Sequence, residues 1–279
     1  SVTDREADPE RSAEQIYSRI AEVLSASSSQ LVHERCFGDI SLQSQILTGR
    51  NRALGKFKIE ANSPVTFVEG ESCLANKFAG VQIRALKPVN DSKVWTIMDQ
   101  GIPKGRAWSL DGSTFFMLHS IDGGSTTKTD KASRKTRSAA MFQQAERILR
   151  TAGATYKDVV RTWIYISEIL DWYADFNLVR NECYSEYGFL GNSNSAAQPE
   201  QIYLPASTGI EGKNPSGQPA TMDVFAIHRS PKSTIKIRSV HGTKQRSPFR
   251  YGSAFSRAVV IEEADNKLIL VSGTASIDD

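Results

Sequence analysis

The sequence contains few cysteines, and their spacing predicts neither disulfides nor a metal site. Cys36, Cys73 and Cys183 are odd in number, lie far apart and form no Cys-x-x-Cys pair. They therefore provide neither a disulfide framework nor a cysteine-based metal site. This usage favours a reducing compartment, and the cytoplasm is the expected location.

The sequence also lacks an excess of charge of one sign and any long apolar run. The 34 Lys and Arg residues nearly balance the 31 Asp and Glu residues, which leaves a net charge of +3. This balance gives no electrostatic reason to expect nucleic acid or an anionic membrane as the main partner. No apolar run approaches the roughly 18 residues that span a bilayer, and no signal-type apolar segment follows Ser1.

Several catalytic and cofactor motifs are absent. The sequence has no Gly-x-Ser-x-Gly elbow, no P-loop and no dinucleotide fingerprint, which disfavours nucleophile-elbow hydrolases and nucleotide enzymes. His119, His228 and His241 have no metal-ligand spacing. We therefore expect no metal and no cofactor. His119 and His228 end two predicted strands, so the pattern fits either a shared site or two separate half-exposed side chains.

One basic run stands out in this balanced sequence. Residues 128–137 hold five basic residues in ten. They lack the interleaved aromatic side chains that stack on bases, and they precede a predicted helix. A solvated helix face explains the run better than RNA binding does.

The N-terminal third predicts one helix followed by strands. Helical spacing of apolar residues begins after Ser12 and ends in the serine-rich residues 25–29. This helix packs either on its own domain or on a partner. Between Leu31 and Val94, short apolar pieces cut by Gly and Pro predict strands and no helix. The strands are expected at 65–68, 80–86 and 94–98, and the loops at 48–52 and 101–105.

Residues 113–229 predict a sheet with two helices on one face. Met141, Ala145, Ile148, Leu149 and Ala152 form one helical stripe. The order of elements is strand 114–119, a helix that ends at Gly153, strand 159–166, a helix capped by Asp171 and closed by Gly188, and strand 221–228. Each helix has one apolar stripe to bury against the sheet. The other face of the sheet then needs cover from a neighbouring subunit or from the rest of the protein.

The C-terminal residues predict a hairpin. Its strands are expected at 254–262 and 267–273, with a turn at 264–266. Because one strand is strongly apolar, we expect the natural protein to continue beyond Asp279.

Three segments together resemble the Rid-like (YjgF-type) superfamily, over roughly residues 113–229. They are the helix-to-strand junction 152–166, the helix containing Trp172, Tyr173, Phe176 and Asn177, and residues 203–210 with the strand that follows. Residues 205–209, 255–258 and 271–277 are also similar to chorismatases, which carry two Rid-like halves in one chain.

The resemblance implies an α/β (α+β) fold of the Rid-like, chorismate-mutase-like type, with a mixed sheet, two helices on one face and the start of a second such half. Together with the patterns above, it predicts an N-terminal helix and tail at 1–30, a Rid-like domain with an N-terminal strand extension at 31–230, and a linker with the first hairpin of the second half at 231–279. It also implies a homo-oligomer, a trimer by resemblance, that acts on a small carboxylated metabolite without metal or organic cofactor.

Two departures from the family pattern bear on chemistry. Deaminating Rid enzymes carry a carboxylate-binding arginine after Pro-Ala, and Ser207 stands there in this chain. Ser207 cannot form a bidentate pair with a carboxylate. The glutamate that often holds water in the late strand corresponds to Phe225, with Asp223 two residues earlier on the same strand face. Imine deamination by the usual groups is therefore disfavoured.

The candidate substrate-binding residues are Arg257, Tyr251, Ser207, Arg250 and Asp223. Arg257 matches the arginine of a Phe-x-Arg-Ala segment in chorismatases and is expected to pair with a substrate carboxylate. A structural ion pair with Glu262 or Glu263 is the alternative for Arg257. A surface loop is the alternative for Arg250 and Tyr251.

The function follows one of two main hypotheses. The chain is either a chorismatase-like or Rid-like enzyme for a small carboxylated enol ether or imine, or a catalytically degenerate Rid-like binding or assembly module. Action on RNA is a third and weaker hypothesis.

Overall fold

A computed structural model describes residues 8–70, 77–89, 92–124, 133–189, 203–240, 248, 252–264 and 266–273 of the chain. Its helices and strands are α1 (Pro9–Ser27), β1 (Gln30–Gly38), α2 (Gln43–Lys56), β2 (Thr66–Glu69), β3 (Phe78–Leu86), β4 (Val94–Asp99), β5 (Ile102–Leu110), β6 (Ser113–Ile121), α3 (Arg134–Thr151), β7 (Val159–Ile166), α4 (Ile169–Glu186), β8 (Ala206–Glu211), β9 (Ala220–Arg229), β10 (Lys236–Val240), β11 (Ala258–Glu262) and β12 (Lys267–Val271). Among these helices, none has both the length and the hydropathy of a membrane span.

A six-stranded mixed sheet lies at the centre, in the order β4-β5-β6-β9-β7-β8. The β7–β8 pair is parallel, and the other neighbours are antiparallel. Helices α3 and α4 cover one face, where Phe142 and Phe176 pack against Leu118, Ile164 and Val224. The predicted mixed sheet with two helices on one face is confirmed.

The opposite face of this sheet is covered by the same chain. A second core joins Trp108 and Phe225 of the central sheet to Val32 of β1 and to Val259 and Ile261 of β11. Strand β1 belongs to a three-stranded sheet, β2-β1-β3, and β11 to another, β10-β11-β12. The sequence allowed this face to be covered either by a neighbouring subunit or by the rest of the protein. In the structure, the rest of the protein covers it. The predicted trimer and the predicted domain limits at 30 and 230 stay predictions.

The helix stripe that ends at Gly153 is confirmed as α3, and Gly153 adopts φ +89°. The start of the second helix differs from the prediction. Asp171 does not cap it; it lies in the first turn of α4, which begins after Glu168. The indole of Trp172 donates to the Ser167 carbonyl at 2.8 Å and so holds this first turn.

The N-terminal helix is confirmed as α1, and it packs on α2 of its own chain. Its buried face consists of Ser12, Ala13, Tyr17, Ala21 and Leu24, whereas Val23 of the same helix is 67% exposed. The C-terminal hairpin is also confirmed, as β11 and β12 with Glu262 opposite Lys267.

The prediction that residues 31–94 contain no helix is wrong. Helix α2 occupies 43–56 and includes the segment 48–52 that was expected to be a loop. Its buried face has helical spacing, but Arg50 stands in it beside Ile46, Ala53 and Leu54. Gly49 allows α1 to approach closely, because a Cβ there would lie 2.2 Å from the Glu10 carbonyl oxygen. A charged residue and a glycine on the buried face conceal the apolar stripe.

The expected loop at 101–105 is also mostly strand. The turn is limited to Gln100 and Gly101, and β5 begins at Ile102, which pairs with Asp99. Strand β1 was missed because polar and charged residues interrupt its apolar pattern.

A buried ion pair anchors α2 to β1. Arg50 is 2% exposed and Glu34 is fully buried. Nε and Nη2 of Arg50 donate to the two Glu34 oxygens at 2.6 and 2.7 Å, and the Tyr17 hydroxyl donates to Oε1 at 2.5 Å. The pair therefore joins both N-terminal helices to the sheet.

We predict that Arg50→Met lowers the free energy of unfolding by about 3–5 kcal/mol, because it leaves the Glu34 carboxylate buried without its cation. Urea unfolding measures the change. Arg52→Met is the matched control on the same helix. Arg52 is half-exposed and pairs with Glu10 and Glu14, so its loss should cost less than about 1 kcal/mol. Equal effects of the two substitutions would contradict the anchoring role.

Candidate functional site

A buried carboxylate lies on the sheet face that β1 covers. Asp223 of β9 is fully buried. Its Oδ2 accepts from His33 Nε2 at 2.9 Å and from Arg35 Nε at 2.6 Å. Its Oδ1 accepts from the backbone N–H of Ser120 at 3.1 Å and from the Thr66 hydroxyl. Asp223 therefore connects β1 and β2 to the central sheet.

The electrostatics keep this carboxylate ionised. Burial alone would raise the pKa of Asp223, but the charge of Arg35 and the interactions with His33 outweigh burial and hold the pKa well below its usual range. The four hydrogen bonds occupy the acceptor positions of both oxygens.

Two buried histidines beside Asp223 are neutral. Burial lowers the pKa of His33 in spite of the neighbouring carboxylate. Burial, together with the nearby His33, lowers the pKa of His119 to about 3. The two rings meet edge to face at 4.9 Å. The Nε2 of His119 lies 3.1 Å from the Val32 carbonyl, so it carries the proton and donates to β1.

Three arginines surround the indole of Trp163, and we call them the arginine cluster. The guanidinium carbons of Arg35, Arg161 and Arg84 lie 4.3, 5.0 and 5.1 Å from the ring centroid, within the range of cation–π attraction. Arg161 and Trp163 alternate along β7 and so share a face. Arg84 of β3 lies opposite His33 of β1 in the antiparallel register, which places it on the side of Asp223.

The cluster holds more positive than negative charge. Arg35 pairs with Asp223, but the ion pairs of the described residues give neither Arg84 nor Arg161 a carboxylate partner. Burial and the other arginines lower the pKa of Arg161 to about 10. Burial and Arg35 also lower the pKa of Arg84. Among the described residues, three guanidinium groups thus face one carboxylate, which leaves two uncompensated positive charges at neutral pH.

Buried hydrogen-bond donors of the cluster are also unused. Arg35 is 4% exposed and Arg161 is 5% exposed. Arg35 Nη1 donates to Gln82 at 2.9 Å and Arg161 Nη2 donates to the Thr208 hydroxyl at 2.5 Å. Arg35 Nη2 and Arg161 Nη1 have no partner among the described residues. Because Arg84, Trp163 and Thr208 are only half-buried, the cluster is reached from solvent on their side.

The structure separates the residues predicted from sequence. Asp223 lies beside the arginine cluster, whereas Ser207 lies on the opposite face of the central sheet, where its hydroxyl accepts from Thr162 at 2.8 Å. Arg257 is half-buried, and its carbonyl accepts from the Ser272 N–H at 2.9 Å. Arg250 and Tyr251 lie outside the described residues. Glu262, the structural alternative for Arg257, lies 3.1 Å from Lys267 and 3.6 Å from Arg238.

A shared site of His119 and His228 is not formed. Strands β6 and β9 are antiparallel, and His228 pairs with Thr114 at the start of β6. The ends of the two strands therefore lie at opposite ends of the sheet. His228 is exposed and lies 3.3 Å from Asp158.

The sequence prediction named none of the three arginines of the cluster and only Asp223 beside it. A signal for part of it exists, because Arg161, Trp163 and Tyr165 alternate on β7, and His33 and Arg35 alternate on β1. Polar residues at alternate positions of an otherwise buried strand indicate a polar cluster inside the fold.

No family model matches the chain, and no curated protein matches it by sequence. Solved structures of YjgF-type proteins are similar to part of it. The YjgF gene product of E. coli is 14% identical, with a TM-score of 0.34 over 41% of this chain and 81% of that one. Yeast Mmf1 is 13% identical, with a TM-score of 0.35 over 49% and 100%.

Rv2704 from Mycobacterium tuberculosis, a member of the YjgF/YER057c/UK114 family, is 15% identical, with a TM-score of 0.33 over 50% of this chain and 100% of that one. These structures come from the superfamily that the sequence segments resemble. The chorismatase-like branch stays a prediction, and the function proposed below rests on this chain's own residues.

The lowered pKa of His119 predicts acid sensitivity. Below about pH 6.5 this histidine is protonated in the unfolded chain and not in the folded chain. The free energy of unfolding therefore decreases as the pH is lowered. The slope is at most about 1.4 kcal/mol per pH unit for each such histidine. We predict that His119→Gln, which keeps a donor for the Val32 carbonyl, removes up to that amount from the slope between about pH 6 and pH 4.

Urea unfolding at several pH values measures this slope. His228→Gln is the matched control, because that side chain is exposed, and it should leave the slope as in the unmodified protein. An unchanged slope in His119→Gln would show that His119 is not held neutral in the fold.

Proposed function

We propose that the protein is a Rid-like module that binds a small metabolite with two carboxylates, and that the arginine cluster is its anion site. The observation that supports this most directly is the convergence of Arg35, Arg84 and Arg161 on Trp163, where Asp223 is the single carboxylate among the residues that the structure describes. Two uncompensated positive charges match a dianion.

The energetics of burial favour a bound anion. A buried cation without a partner costs several kcal/mol, and an unused buried donor costs roughly 1–3 kcal/mol. Arg161 carries both costs in the free protein, whereas Arg35, which pairs with Asp223, carries only the cost of the unused donor. A carboxylate accepts two parallel hydrogen bonds from a guanidinium group, which is stronger and more specific than a contact with lysine. Bound carboxylates would therefore offset the free-energy cost of the buried positive charge and the unused donors in the free protein.

The described groups around the cluster favour binding over turnover. General acid–base catalysis works best when the pKa of the catalytic group is near the working pH. Asp223 stays ionised with its oxygens occupied, and His33 and His119 stay neutral. In this proposal Asp223 positions Arg35 and does not contact the ligand. Arg257, Arg250 and Tyr251 remain proposed additional contacts for the same ligand class.

The experiment is calorimetric titration with two dicarboxylates, succinate and chorismate. Succinamate, in which one carboxylate of succinate is an amide, is the ligand control and should bind more weakly. Arg161→Gln should raise the Kd for each dicarboxylate about tenfold or more, because a charge-assisted hydrogen bond contributes about 1.5–3 kcal/mol.

Arg238→Gln is the matched control variant. It makes the same change of charge at an exposed residue of β10 that pairs with Glu262, so binding should be unchanged. Equal affinity of Arg161→Gln and the unmodified protein, or no binding of either dicarboxylate, would contradict the proposal. Consumption of chorismate during the titration would instead favour the chorismatase-like enzyme.

A further inference from the structure

A second concave surface lies on the other side of the central sheet, between α4 and β8. It has a volume of about 940 Å³, and Gly252, Ser253, Phe255 and Gly273 complete its described wall. We call it the α4–β8 groove. The side chains used below are Leu170, Tyr173, Leu178, Arg180, Ile210 and Phe255.

The groove presents apolar side chains to solvent. Leu170 is 91% exposed, Leu178 is 53% exposed and Ile210 is 47% exposed. Single exposed apolar residues are common on protein surfaces, but several around one concave surface mark a binding site. The volume falls within the range of about 300–1,000 Å³ that small-molecule sites occupy.

One buried cation lies in this apolar wall. Arg180 is 1% exposed, and Nη2 donates to the Asn177 side-chain oxygen at 2.5 Å. Its Nε has no partner among the described residues. Its guanidinium carbon lies 5.4 Å from the ring centroid of Phe255 and 6.0 Å from that of Phe176.

Among the described residues, Arg180 has no counter-ion in the groove. None of the described residues that line the groove is acidic, and Arg180 forms no ion pair with any described carboxylate. Such a cation is expensive to bury unless an anion accompanies it. The described part of the wall therefore holds a single guanidinium, with a buried donor unused, among apolar and uncharged polar side chains.

We propose that the α4–β8 groove binds a small organic monocarboxylate with an apolar body. The carboxylate pairs with Arg180, and the body packs on Tyr173, Leu178 and Phe255. The hydroxyl of Ser207, which also lines the groove, accepts from Thr162, so its own proton is available to the ligand. Because Arg180 is the one cation in the described wall, we expect one carboxylate in the ligand.

This site uses a different cation from the arginine cluster, although Thr208, which accepts from Arg161, also lines the groove. Ser207 and Thr162 face α4, whereas Arg161 and Trp163 point to the opposite side of the same sheet. Failure of dicarboxylate binding at the cluster therefore leaves this proposal standing, and the reverse also holds.

The probe is 3-phenylpropionate, and its neutral amide, 3-phenylpropionamide, is the ligand control. Calorimetric titration at neutral pH should show binding of the acid and at least about tenfold weaker binding of the amide. Arg180→Gln should lower the affinity for the acid to that of the amide, while Arg238→Gln, at an exposed residue of β10 that pairs with Glu262, should leave it unchanged.

A second variant covers the case in which Arg180→Gln does not fold. Leu178→Glu places a carboxylate at an exposed position of the groove and should reduce binding of the acid about tenfold or more, by repulsion and by loss of apolar contact. Val23→Glu is the matched control on the exposed side of α1, where Val23 is 67% exposed. It should bind like the unmodified protein.

Equal binding of acid and amide by the unmodified protein would overturn the proposal. So would unchanged binding of the acid by Leu178→Glu. Sedimentation measures whether the groove instead joins two copies of the chain. Self-association that Leu178→Glu abolishes, without uptake of 3-phenylpropionate, would also overturn it.

Discussion

The arrangement of the sheets depends on one buried carboxylate, that of Asp223. It receives donors from β1, from β2 and from the backbone of β6, and no part of it reaches solvent. An ionised carboxylate is tolerated there only because these donors replace water. A slip of β1 by one residue would turn His33 and Arg35 to its other face. The register of the N-terminal sheet is therefore held by charge and hydrogen bonds in addition to apolar packing.

The arginine cluster follows from this register. Once Arg35 is drawn to Asp223, its guanidinium lies over Trp163, where Arg84 and Arg161 also arrive from β3 and β7. One carboxylate cannot balance three guanidinium groups, so the connection of the sheets leaves an excess of positive charge. The same contact that stabilises the fold thus produces the surface on which the proposed function rests.

The sequence predicted the helix face well and the opposite face poorly, for a physical reason. The stripe from Met141 to Leu149 is local, so its spacing predicts α3 directly. Helix α2 was missed because Arg50, whose partner Glu34 lies in another element, stands in its buried face. The cluster was missed because Arg35 and Asp223 are 188 positions apart. Asp223 alone was predicted, and only through the strand pattern of a resembling family.

The two proposed anion sites differ in the number of cations that each offers, and this difference sets their ligands. On one face of the central sheet, three arginines and one carboxylate leave room for two negative charges. On the other, Arg180 is the single cation among the described residues of a largely apolar wall. A dicarboxylate in the groove would place its second charge against apolar side chains, which is costly. A monocarboxylate at the cluster would leave one guanidinium uncompensated. Each site therefore discriminates against the ligand of the other by the number of cations that it offers.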